Sequence, residues 1–212
     1  MSAKSKKSFG QNLKDQFSTK SIVLIPIAVG INLVGGTLCS ILKLPLFLDT
    51  IGTLMIAILA GPWAAALTGL LTNVFLALVA NPVYLPYSVV SILVGLTAGY
   101  MAKAGMFRKV SGVILTWIAI TLVNAASAAC ITTFVFGGAT GATGTSVLTT
   151  ALVVAFQNIL VSVFSSALLE NLVDKGISVL IAYAIYKKIP RRFLSQYSTD
   201  EETEDESNEE EF

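Results

Sequence analysis

The chain has 212 residues, 54% of them hydrophobic and 13% charged, with a net charge of +1 and a mean hydropathy of +0.76. That profile lies far outside a soluble domain of this size and marks a polytopic, all-α membrane protein. There is no histidine, and Cys39 and Cys130 both sit in apolar runs, which argues against a zinc site or His-based acid–base catalysis.

Residues 1–20 form a basic segment carrying Lys4, Lys6, Lys7, Lys14 and Lys20. No small-residue cleavage site follows the first apolar run, so the segment reads as a cytoplasmic anchor and not as a removed signal peptide. A membrane domain over 21–192 comes next, with apolar spans expected at 21–42, 47–61, 62–80, 86–105, 110–136 and 164–187. Breaks fall at Leu42-Lys43-Leu44-Pro45, Gly61-Pro62, Asn81-Pro82 with Pro86, Lys103 to Lys109, and the glycine- and threonine-rich run 137–145. Residues 147–163 are a further apolar stretch, either a separate helix at the outer surface or the start of one long, bent final span. The segment 193–212 holds nine of the thirteen acidic residues, all from Thr199 onward, and is expected to be a disordered cytoplasmic tail.

Six spans with both termini inside place twelve of the fourteen Lys and Arg residues on the cytoplasmic side. Only Lys43 is then in an outer loop, and Lys175 lies within the last span. Twelve residues separate Lys175 from Lys187, so at helical rise Lys175 lies about 18 Å from the inner end, in the outer half of the membrane.

Glu170, Asn171, Asp174 and Lys175 share one stripe of that last helix. Charge inside a bilayer is costly, and such a group normally faces a cavity, a counter-charge or a solute. One lysine does not neutralise two acids, so a carboxyl is protonated, reaches water or meets a ligand donor. The stripe is therefore either a solute site or a structural network. Asp49 begins the second span, as an interfacial N-cap or a cavity-lining acid. Asn73 needs a partner such as Asn124, Lys175 or a ligand. Tyr84 and Tyr87 suit a membrane-interface belt or ligand contact. Gln157 and Asn158, being adjacent, point in different directions and offer at most one or two bonds to a solute.

Small residues form two further stripes, Ala28/Asn32/Gly36 in span 1 and Ala65/Gly69 in span 3. Such stripes let helices approach closely in lipid, either within the bundle or against a separate membrane subunit. No GxxxxGK[ST] loop is present, so ATP hydrolysis by that route is excluded and any active transport draws on an ion gradient or a partner.

Together, LDTIGT…GPWAAALTGLLTN within 44–82, the element Asn171-x3-Lys175-Gly176 and the small-residue face of span 1 resemble the substrate-binding S components of energy-coupling factor (ECF) transporters, in particular the riboflavin-transporter-like branch. The resemblance covers roughly 20–192. It implies a six-helix bundle in a bacterial cell membrane that captures a vitamin from outside, such as riboflavin, pyridoxine or cobalamin. One membrane scaffold subunit and two ATPase subunits would then drive release. It implies no cofactor, no nucleic-acid partner and no catalysis in this chain. Ala28-x3-Asn32 departs from the alanine-x3-alanine common in the family. The competing reading is a membrane-embedded sensor or structural subunit with no transported solute.

Overall fold

The computed structural model describes residues 16–141, 145–190 and 197. The expected basic segment before residue 16, and the acidic tail apart from Tyr197, lie outside the described residues. Among those residues the regular structure is entirely helical. The helices are α1 (Thr19–Ile41), α2 (Ile51–Leu59), α3 (Pro62–Val79), α4 (Ser88–Lys103), α5 (Val110–Phe134), α6 (Thr145–Phe156) and α7 (Ile159–Lys188), with 3-10 turns at Pro82–Tyr84 and Met106–Arg108. By length and composition α1, α3 and α5 are each sufficient to cross a membrane.

The breaks follow local chemistry. Ser18 caps α1 by accepting from the Ser21 backbone N–H. Gly61, at φ 92°, turns the chain so that Pro62 can take the first position of α3, where its missing N–H costs nothing. Asn81 accepts from the Val83 N–H and starts the turn toward α4.

Two expected boundaries are corrected. The second span, expected over 47–61, is helical only from Ile51 to Leu59, about 14 Å at 1.5 Å per residue. Its first part is non-helical, with Leu48 in the left-handed region at φ 50°. The backbone N–H groups of Phe47 and Leu48 each donate to Asp174 Oδ1 at 2.8 Å, so these donors are satisfied without a helix. The last helix starts at Ile159 and not at 164. The stretch 147–163 divides, because Gln157 adopts φ 52° and Asn158 accepts from the Val161 N–H to begin a new helix. Residues up to Phe156 form the separate α6, which packs on α7.

In the bundle α3 lies along α4, α5 lies along α7, and the short α2 sits centrally against α1, α3, α4 and α7. Apolar side chains such as Ile22, Val23, Ile27, Val34 and Leu38 are exposed on α1, as a lipid-facing surface requires, while many polar groups are inside.

The structure turns the small-residue stripes inward. Ala28, Asn32, Gly36, Ala65 and Gly69 are all buried within this chain. Asn32 joins three helices: its amide donates to Thr53 Oγ1 at 2.9 Å and Thr72 Oγ1 at 3.0 Å, and its oxygen accepts from the Gly52 N–H at 2.7 Å. Ala28 meets Gly52 so closely that a Cβ there would lie 2.1 Å from the Ala28 carbonyl oxygen. Gly36 faces Leu76, Gly69 faces the Ser91 backbone, and Ala65 packs against Gly95. An asparagine at position 32 thus has a reason internal to this bundle.

Candidate functional site

A cavity open at its mouth is lined by the segment before α2 and by α3, α4, α5, α6 and α7. Phe47 and Asp49 enter from the segment before α2, Asn73 from α3, and Tyr84, Tyr87 and Ser91 from the turn and the first part of α4. Asn124 and Thr132 line it from α5, Ser146 and Thr149 from α6, and Ser166, Glu170, Asn171 and Lys175 from α7. The α7 residues from 166 to 175 recur at helical spacing, so one face of α7 forms a continuous wall.

Lys175 is 1% exposed, and its ammonium is committed. Nζ lies 2.7 Å from Thr50 Oγ1, 2.7 Å from Asp174 Oδ2 and 3.5 Å from Asp49 Oδ1. The contact with Asp174, its neighbour in sequence, is an ion pair without hydrogen-bond geometry. The Thr50 hydroxyl donates to Asp49 Oδ1 at 2.9 Å, so Lys175, Thr50 and Asp49 form a short chain of directed bonds. Nζ also stands 6.0 Å from the centre of the Phe47 ring, within cation–π reach.

The remaining polar groups divide into satisfied and unsatisfied. Asn73 donates to the Gly69 carbonyl oxygen at 3.3 Å and to Ser91 Oγ, which leaves its oxygen as the remaining polar atom. The Tyr87 hydroxyl bonds Thr132 Oγ1 at 2.6 Å, and its ring stacks on Phe136 with centroids 5.9 Å apart. Burial pushes the Tyr84 phenol above its usual value, partly offset by a hydrogen bond with Ser40. Asn171 donates to the Ala167 carbonyl oxygen at 2.8 Å, which fixes its amide orientation, and its Oδ1 has no partner. Oε1 of Glu170 is also buried without a partner.

Of the residues singled out from sequence, Asp49, Asn73, Tyr84, Glu170, Asn171 and Lys175 meet at this cavity. Asp174 is fully buried behind it, holding Lys175 and the 47–48 backbone. Gln157 and Asn158 are exposed at the break between α6 and α7 and do not line it. Sequence reading missed Phe47 and the hydroxyls of Ser91, Thr132, Ser146, Thr149 and Ser166. Isolated Ser and Thr in apolar helices often bond their own backbone, as Thr68 and Thr72 do here, so they carry no distinguishing signal.

A family model for the substrate-specific component of ECF transporters matches residues 20–197. The chain belongs to that family. No curated protein and no solved structure matches it. A substrate-specific component is a membrane subunit of a transporter, associated with a scaffold and ATPase modules, and the cavity lies wholly within the matched region.

Proposed function

We propose that this substrate-specific component captures a water-soluble vitamin of the B type in the cavity lined by the segment before α2 and by α3, α4, α5, α6 and α7. It faces the outside of a bacterial cell, keeps both termini in the cytoplasm, and delivers its solute through one scaffold subunit driven by two ATPase subunits. Asn171, Glu170, Asn73, Tyr84 and Asp49 contact the ligand, and Lys175 forms the floor. Asp174 acts through Lys175 and the segment before α2.

The observation that carries this reading is a pair of buried acceptors, Glu170 Oε1 and Asn171 Oδ1, lining the cavity without partners. Buried polar atoms are nearly always bonded, and leaving one unsatisfied costs about 1–3 kcal/mol. A solute-free structural or sensory subunit leaves that cost unexplained, whereas a ligand's donors offset it. The purified full-length chain, titrated with a panel of B vitamins, is expected to bind at least one with submicromolar Kd. Absence of any such ligand refutes the proposal.

A further inference from the structure

The charges around the cavity are unequal. Asp49, Glu170 and Asp174 stand on or directly behind its wall, and among the described residues lining it Lys175 is the one cation. That cation is already engaged by Asp174, Thr50 and Asp49, so its positive charge is shared between two acids before any ligand arrives. Glu170 is 7% exposed, forms no ion pair among the described residues, and has Oε1 without a hydrogen bond. Beside it, Asn171 presents its Oδ1 as an unpartnered acceptor, while one N–H of its amide nitrogen donates to the Ala167 carbonyl oxygen.

An anionic ligand would therefore meet two carboxyl groups and a lysine whose charge is already paired with Asp174 and Asp49. A cation with N–H groups meets two unpartnered acceptors, one of them on the unpaired acid Glu170, and the aromatic rings of Phe47, Tyr84 and Tyr87. We infer that the cavity selects a positively charged, nitrogen-rich ring compound, with Glu170 receiving its charge and Asn171 an N–H donor, and that it rejects carboxylates and phosphates. This rests on the solute-capture reading above and narrows it to one chemical class.

The test uses the full chain in detergent or nanodiscs, titrated with thiamine and benzamidine as cations, pantothenate and nicotinate as anions, and riboflavin as a neutral ring. The cations are expected to bind at least tenfold tighter than the anions, and Glu170→Gln, which keeps the shape but not the charge, to weaken cation binding at least tenfold. An anionic or neutral vitamin binding tighter than either cation overturns the inference and leaves vitamin capture standing. Binding of benzamidine but of no vitamin supports the inference and removes the vitamin reading. Equal cation affinity in Glu170→Gln overturns the role of Glu170, and no binding by any probe overturns both. The selectivity series on the unmodified chain decides the matter should Glu170→Gln fold poorly.

Discussion

Asp174 and Lys175 are sequence neighbours whose side chains meet at 2.7 Å, so the buried lysine is neutralised from its own helix. The other oxygen of Asp174 accepts from Phe47 and Leu48. One carboxylate therefore fixes both a charge and a strand of backbone.

Removing the lysine exposes that dependence. Lys175→Met is expected to insert in the membrane as well as the parent, since an intramembrane charge is lost. Folded stability should drop by about 3–5 kcal/mol, as when one partner of a buried ion pair is deleted. Membrane-fraction yield and thermal unfolding in detergent separate the two effects, and solute affinity should fall with the disturbed wall. Unchanged stability and unchanged binding together would remove Lys175 from the site.

Asp174→Ala should free the segment before α2. Two backbone donors lose their acceptor, at about 1–3 kcal/mol for each group left buried and unsatisfied. Amide hydrogen exchange across 46–50 is expected to accelerate strongly while that of α3 stays near the parent rate. Unaltered protection at Phe47 and Leu48 would show that the segment is held by something else.

Asn32→Ala removes all three bonds that tie α1 to α2 and α3. The isolated chain is expected to lose about 2–5 kcal/mol, combining three lost bonds with a small void. A residue serving only to dock a scaffold subunit would leave the melting point of the isolated chain unmoved, so the melt alone distinguishes the roles.

Two glycines give opposite outcomes. Gly52→Ala places a methyl 2.1 Å from the Ala28 carbonyl oxygen and should abolish stable folding. At Gly30, inside α1, nothing lies within 4 Å, so Gly30→Ala should raise stability by about 0.5–1 kcal/mol through helix propensity alone. Size-exclusion profiles and melting points of the pair test the packing of α1 on α2 directly.

Helical class and most boundaries were legible because proline, glycine and asparagine mark helix ends by their own backbone chemistry. Pro62, Asn81 and Pro82 stand at helix or turn starts, as expected. The non-helical stretch 47–50 was not legible, because its apolar start Phe47-Leu48 reads as helix until the Asp174 carboxylate, more than a hundred residues away, claims its N–H groups. The α7 stripe was visible as charge in an apolar helix. Its internal division was not: which acid touches the lysine and which is left unpaired depends on α2's approach, and sequence spacing carries no record of that.

The seam between residues 47–48 and α7 is made of main-chain donors on one side and a single carboxylate on the other. Main-chain donors are common to every residue type except proline. Phe47 can therefore be exchanged for another side chain, changing what the cavity wall offers a solute, without loosening the wall itself. The fold keeps a position where ligand preference can drift during evolution at little structural cost, and Phe47→Pro is the one substitution there that should unfasten it.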